Sequence, residues 1–507
     1  MLDQWRYDWD GMHPNTPTGP LPLQMPFLQH AASIGTRFTQ AYVPVPLCAP
    51  VRACLAAGKE YDQAGVLGNH ADSFPIHQTT FYKLLRNDGN YHTMTCGKDD
   101  LFKGDERFPY FVGQHYPATM DLGFSDALRA AGKHKVLKGR KYPDIYRQFL
   151  DTTRVTVKEG LESTAFDVYR HCTKQLDQTV CNADSFVQSI HPNDFVQQSA
   201  LQLLQRHKET ASSQPWFLQV NFPGPHAPHM ATAAMAESVK DRTWPHPVDN
   251  NNNNRGWTCP QQDNPAKDGK TQPAIGGRCN YAAEIEYMDR LMEQVVETVD
   301  LDETLVCVTG DHGEMLGDHD WAGKKVPWQG SVSVPLLCFG AGVRAKGKVY
   351  DKPVTTLDLV GLFLDTAGVD PTPDMTTTKT LSSILYHDDD DDNRTIQETR
   401  RDYVQAGLHD FRLVVKSIHG ESYKLICCRG DCPAMPSTTP PREGRPFHQL
   451  LYNVHQDPFE MAPLRGKRAD EIANELVELL PEGWCRRNDP DGDNDDSVIM
   501  TAAASVE

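Results

Sequence analysis

Several short stretches of this chain set reactive side chains where a strand end or tight turn would present them. Cys48-Ala49-Pro50-Val51-Arg52 places a thiol and a guanidinium four residues apart around a proline, although the same five residues also read as a cysteine in a Pro-bounded turn. Gly310-Asp311-His312-Gly313-Glu314 follows the apolar run 304–309. A carboxylate and an imidazole side by side at a strand end can both point at one divalent cation. Gly97-Lys98 follows the apolar stretch that closes at Cys96, and Pro225-His226-Ala227-Pro228-His229 follows the run 216–222. A lone histidine in a turn is usually a surface residue; the preceding strand is what makes His226 a candidate.

These residues need a frame to hold them. Short apolar runs alternate with helical patterns, which predicts an α/β sheet with strands over 304–309 and 216–222 and a third closing at 94–96. Between about residues 281 and 299, Ala282, Ile285, Met288, Met292, Val295 and Val299 recur at helical spacing and read as core. Polar and charged residues cluster just after the C-terminal end of each strand, where open α/β sheets build their sites.

The length of 507 residues suits one large domain with a smaller appendage, or two or three ordinary ones, and an apolar fraction of 39% with 23% charged residues is that of a globular enzyme. A formal net charge of -18 argues against nucleic-acid binding, and an anionic polymer would have to meet a locally basic cleft. No apolar window reaches the roughly 20 residues that span a bilayer, and Asp3, Trp5, Arg6 and Asp8 follow Met1 too closely for a signal peptide. Thirteen cysteines are many for a cytosolic protein. Cys172 with Cys181, Cys259 with Cys279, and Cys427 or Cys428 with Cys432 are candidate disulfides, whereas Cys307 and Cys338, within apolar runs, read as plain buried thiols. Asn250–Asn254 is a polar loop, and the five carboxylates of 388–392 read as part of a linker, 388–394, between a catalytic domain over 1–387 and an α+β subdomain over 395–488. Asn393-Arg394-Thr395 is a glycosylation sequon, and 489–507 is an acidic, Ala-rich tail.

Taken together these stretches resemble the sulfatase family from Asp3 to about Leu480. Cys48 to Arg52, with Phe38-Thr39-Gln40-Ala41-Tyr42 before it and Leu55-Ala56-Ala57-Gly58-Lys59 after it, is similar to the family's C-x-P-x-R signature; Val51 stands for the usual serine and Ala57 for the usual threonine. Gly310 to His319, followed by Gly323-Lys324 and Pro327-Trp328-Gln329-Gly330-Ser331, resembles the family's metal loop. Asp3-Gln4-Trp5-Arg6 resembles its first metal motif, which in the family ends a central buried strand, so this sequence begins at the end of a strand. Gly97-Lys98 is similar to the start of the "GKWHLG" element, with Asp99 for tryptophan and Asp100 for histidine; these two carboxylates read either as acceptors for sugar hydroxyls or as solvated groups. Residues 411–414, 423–426 and 451–454 resemble the strands of the family's C-terminal subdomain.

The resemblance implies an alkaline-phosphatase-like α/β/α sandwich with a mostly parallel central sheet, plus a smaller subdomain with an antiparallel sheet and a helix. It implies hydrolysis of a sulfate ester, of a sugar or polysaccharide, through a formylglycine that the formylglycine-generating enzyme makes from Cys48. The metal ligands would be Asp3, Gln4, the modified Cys48, Asp311 and His312. Hard oxygen donors without several imidazoles or thiolates favour Ca2+, and the imidazole leaves Mn2+ open. Arg52 would hold the nucleophile, while Lys98, Lys324 and His226 would neutralise charge on the sulfate, with Lys324 or His226 as proton donor. The expected compartment is the secretory route, lysosomal or extracellular. Two alternatives stay open: a phosphonate monoester hydrolase or phosphodiesterase of the same superfamily, and a non-catalytic pseudo-sulfatase.

Overall fold

A computed structural model describes residues 1–13, 21–69, 74–101, 121–130, 132–137, 145–156, 162–174, 190–248, 257–258, 272–375, 379–386, 401–429 and 447–485 of the protein. The central strands are β1 (Leu2–Asp3), β2 (Thr36–Tyr42), β3 (His92–Gly97), β4 (Asp126–Arg129), β5 (Trp216–Pro225), β6 (Leu305–Thr309), β7 (Ser333–Gly340), β8 (Lys348–Tyr350) and β9 (Val354–Thr355). One half runs β1-β5-β3-β4, all parallel. The other runs β6-β7-β2-β8, with β9 also on β2; β7 is antiparallel to both its neighbours. The two-residue β1 joins the halves. Leu2 bridges Gly310 in parallel, Asp311 N donates to Leu2 O at 3.0 Å, and on the other side Phe222 N donates to Met1 O at 3.0 Å.

Helices cover both faces, which is why the inner strands read as apolar runs rather than alternating ones. On one side α1 (Pro26–Ile34), α4 (Pro192–Thr210) and α5 (Gln272–Val296) pack Phe27, Leu28, Val196, Leu203, Ile285 and Met288 onto the sheet. On the other, α2 (Cys48–Ala57), α3 (Phe81–Asn87) and α6 (Asp358–Thr366) bring in Val51, Leu55, Phe81 and Leu362. Helix α5 starts well before residue 281, and Val299 lies past its end. It also buries polar residues: Asp289 accepts from Phe27 N and Leu28 N, both at 3.0 Å, satisfying the N-terminus of α1, which has no side-chain cap of its own. Among the described residues no helix is long and apolar enough to cross a membrane.

The C-terminal sheet is an antiparallel meander of β10 (Tyr403–Leu408), β11 (Phe411–Ile418), β12 (Glu421–Arg429) and β13 (Phe447–Asn453), with α7 (Lys467–Val477) on one face. The strands expected at 411–414 and 423–426 are longer than their apolar centres, and that expected at 451–454 begins earlier, at Phe447. The cysteines need correcting. Cys307 and Cys338 are not plain thiols but a disulfide; β6 and β7 pair in a register that puts them directly opposite, Cα–Cα 4.2 Å, which two separate apolar runs could not foretell. Cys427 pairs with Cys485 rather than with its near neighbours, because alternation along β12 turns it towards α7 and Cys428 the other way. Cys279 and Cys428 are also disulfide-bonded. Cys181, Cys259 and Cys432 lie outside the described residues, as do the runs 250–254 and 388–392, the sequon at Asn393 and the tail 489–507.

A buried polar joint ties this sheet to the central one. Lys424, fully buried on β12, lies 2.6 Å from Glu460, whose other oxygen accepts Gln329 N at 2.6 Å; the Gln329 amide in turn donates to the Tyr42 hydroxyl at 3.0 Å. Removing one partner of such a pair strands the other charge away from water. Glu460→Ala should therefore lower stability by about 3–5 kcal/mol, and Lys424→Met combined with Glu460→Leu should recover most of it in thermal melts. Equal melting of wild type and Glu460→Ala would show that the joint carries no such load.

Candidate active site

The nucleophile candidate sits where a helix begins. Leu47, in extended conformation, precedes α2, so Cys48 is its first residue and Pro50 falls in the first turn, where a missing N–H costs nothing. Arg52 lies four residues on, one turn along the same helix face. Asp3 ends β1 and Asp311-His312 follow β6; because β1 and β6 are neighbours, the two aspartates meet in front of Cys48. Gln4 turns the chain away with φ 69° and donates its N–H to Asp311 Oδ1 at 2.8 Å.

One donor atom from each of Asp3, Cys48, Asp311 and His312 lies within 4.8 Å of the other three, and all four residues are buried. His312 Nε2 is 3.2 Å from Cys48 Sγ, 3.8 Å from Asp3 Oδ1 and 3.6 Å from Asp311 Oδ1. Its Nδ1 donates to Gly313 O at 3.0 Å, which leaves the Nε2 lone pair facing the cluster in the neutral ring. Two carboxylates, an imidazole and the position of Cys48 suit a hard divalent cation. Within the protein itself, cations offset the carboxylates. Arg52 binds Asp311 Oδ2 through Nε at 3.1 Å and Nη2 at 2.8 Å, and Lys98 Nζ pairs with Asp3 Oδ2. Burial alone would raise the Asp3 pKa, but Lys98 holds it well below the usual carboxylate range.

Lys324 completes the ring of polar contacts, with Nζ 2.9 Å from Cys48 Sγ and 2.7 Å from Gln4 Oε1. The Gln4 amide oxygen thus faces Lys324, and its nitrogen donates to Glu314. His226 Nδ1 donates to Ala227 O at 2.5 Å, and its side chain also bonds Cys48. Burial, and then the Lys324 charge, push the His226 pKa down to about 4, so the ring is neutral at pH 7.

The structure therefore brings together Asp3, Gln4, Cys48, Arg52, Lys98, His226, Asp311, His312 and Lys324. Asp99 and Asp100 are neither solvated nor idle: both are buried, Asp99 accepting from Arg129 Nη2 at 2.7 Å and Asp100 lying 3.3 Å from Lys98 Nζ. Val51 and Ala57, the departures from the family pattern, are wholly buried in the core. Sequence reading missed several supports. Asn221 accepts from Arg52 Nη1 at 3.2 Å; its only signal is an amide in an apolar strand. Glu314 accepts from Leu316 N at 3.2 Å as well as from Gln4 and Gly323 N, shaping the loop after His312. Arg6 grips Asp8 at 2.6 Å and Asp318 at 2.5 Å, and Arg278 adds a second hold on Asp318 at 2.6 Å, so the segment after β1 is locked to the loop after β6.

The turn that delivers Lys98 requires glycine. Gly97 has φ +79°, and a Cβ there would lie 2.0 Å from Asn221 O, the carbonyl that accepts Lys98 N at 3.0 Å. Gly97→Ala should cost more than about 1 kcal/mol, read as a lower melting temperature. An unchanged melting curve would contradict this account of the turn.

The family model for sulfatases matches residues 1–369. An arylsulfatase of Clostridium perfringens is 25% identical over 81% of this chain and 80% of its own length. A choline-sulfatase of Rhizobium meliloti is 26% identical over 70% of this chain, which spans 65% of that protein. Among solved structures, a protein in complex with its substrate D-glucosamine-2-N,6-O-disulfate superposes with a TM-score of 0.64 at 18% identity, covering 95% of both chains. A phosphonate monoester hydrolase of Agrobacterium radiobacter gives 0.63 at 18% identity, over 94% of this chain and 93% of its own. The chain belongs to the sulfatase family, that of the sulfuric ester hydrolases.

Proposed function

We propose that this protein hydrolyses sulfate esters of a sugar or polysaccharide through a formylglycine at position 48, with Ca2+ held by Asp3, Gln4, Asp311, His312 and the modified residue. The observation that carries this reading is the meeting of Cys48 Sγ with Asp3, Asp311 and His312 in one buried cluster, 2.9 Å from Lys324 Nζ. The thiol sulfur marks where an oxygen of the modified side chain would lie. When bound, the cation offsets the negative charge by which sulfate esters resist nucleophiles and orients the sulfate. Two carboxylates and a single imidazole favour Ca2+, with Mn2+ second. Hydrated formylglycine supplies one hydroxyl to attack sulfur and a second whose proton loss lets sulfate depart, which a thiol cannot do.

The chain's own residues do the rest. Arg52, fixed by Asp311 and Asn221, braces the start of α2 and so the nucleophile. Lys98 and Lys324 bring positive charge to the oxygens on which negative charge develops. Neutral His226, with Nδ1–H engaged by Ala227 O, keeps Nε2 towards residue 48 to take up its proton. Lys324 is then the donor to the leaving oxygen. Sulfated sugars are supported as substrates by the disulfated glucosamine in the complex named above and by a neighbour solved in complex with k-i-k-neocarrahexaose. The disulfides Cys307–Cys338 and Cys427–Cys485 favour maturation along an oxidising secretory route, where the formylglycine-generating enzyme would meet the chain. A relative is named an extracellular sulfatase homologue in Drosophila melanogaster.

The likeness to a phosphonate monoester hydrolase supports one rival. Comparing kcat/KM for an aryl sulfate, an aryl phosphodiester and an aryl phosphonate monoester separates them: the sulfate is expected to be preferred, and a preferred phosphonate would replace this reading. Lys324→Met should lower kcat on the sulfate on the order of 10²–10³-fold. Stripping divalent cations should lower the melting temperature and Ca2+ should restore it. Asp311→Asn should abolish that response, and a variant still stabilised by Ca2+ would remove Asp311 from the ligand set.

A further inference from the structure

Lys133 is a buried ammonium that this mechanism does not use. It opens the short helix Lys133–Leu137 and is 3% exposed. Its Nζ donates to the backbone carbonyls of His226 at 2.8 Å and Pro228 at 3.2 Å and pairs with Glu284 Oε1. An ammonium has three hydrogens, and these acceptors take all three. Glu284, wholly buried on α5, also accepts from Asn193 Nδ2 at 3.1 Å, and Asn193 Oδ1 accepts Gly224 N at 3.0 Å. His191 donates to Met230 O at 2.9 Å. The end of β5 and the loop after it, as far as Met230, are thus held by side chains from other elements.

The residue before Lys133 serves a neighbour. A Cβ on Gly132 would lie 3.1 Å from Lys98 Cε and 3.2 Å from Cδ, so the Lys98 side chain runs directly across this glycine. A buried Lys–Glu pair rarely stabilises a fold better than apolar residues of the same size would. What it supplies here is direction: fixed N–H···O bonds onto the carbonyls that flank His226.

We propose that Lys133 and Glu284 are positioning residues, a buried clip that fixes the 226–228 backbone and so aims the His226 imidazole at residue 48. The proposal rests on the reading of His226 as part of the reaction site. The test is the charge-neutral double variant Lys133→Met with Glu284→Gln, whose glutamine keeps an acceptor for Asn193. Its melting temperature should stay within a few degrees of wild type, kcat on a sulfate ester should fall on the order of 10–100-fold, and KM should hardly change. In its crystal structure the His226 ring should move by on the order of 1 Å. An unchanged kcat in the folded variant, or a rise in KM alone, would overturn the clip. If wild type carrying formylglycine turns over no ester, the reading of the site fails and the crystal structure decides alone: a displaced His226 supports the clip and an unmoved one overturns it. Should the first variant not fold, Lys133→Gln with Glu284→Gln, which offers two amide hydrogens where the ammonium offered three, is read the same way.

Discussion

Asp3 and Asp311 end neighbouring strands and are both wholly buried, so the fold sets two carboxylates side by side away from water. Burying an ion costs several kcal/mol unless its charge is met. Much of the surrounding structure meets it. Arg52 reaches Asp311 from the helix that begins at Cys48, Lys98 reaches Asp3 from the turn after β3, and His312 closes the gap to the thiol. A divalent cation would complete the same compensation, which is why the metal reading and the architecture support one another.

Leu2 and Asp3 stand between β5 and β6, and their backbone links the all-parallel half of the sheet to the half that contains β7. The residues just beyond are held by other means. Tyr281, on α5, donates its hydroxyl to Gln4 O at 2.7 Å and accepts Arg6 N at 2.9 Å, and the Trp5 indole donates to Trp9 O at 2.9 Å. On the far side of the loop after β6, His319 stacks on Trp328 with ring centroids 4.4 Å apart and contacts Phe459 O at 2.8 Å. The segment that follows β13 therefore bears on the loop that carries Asp311, although none of the described residues of the C-terminal sheet enters the cluster.

Much of the site was legible in the sequence because its residues fall in short motifs at strand ends and a helix start. The α/β class followed from apolar runs, and the strand ends expected at 96, 222 and 309, against 97, 225 and 309 in the structure, were close enough to place Lys98, His226 and Asp311. Long-range pairing was not legible. Nothing local says that Cys307 faces Cys338 across two strands, or that Cys427 looks towards Cys485, since both depend on register and on which face a residue takes. The buried supports were hidden for a related reason. Glu284 and Asp289 look like ordinary polar positions on an amphipathic helix, yet residues 278–289 of α5 are all buried, and there their carboxylates serve the loop after β5 and the start of α1. Asp99 and Asp100 misled in the opposite direction, because a pair of acidic residues after a strand gives no sign of the Arg129 and Lys98 that engage them.

The proposed chemistry requires an aldehyde rather than a thiol at position 48. It is tested most directly by mass spectrometry of the tryptic peptide 38–52, from protein made in cells that contain the formylglycine-generating enzyme. The expected peptide carries formylglycine in place of the Cys48 thiol. A peptide that retains the thiol throughout would contradict it, showing that Val51 prevents recognition or that the protein does not work by this chemistry.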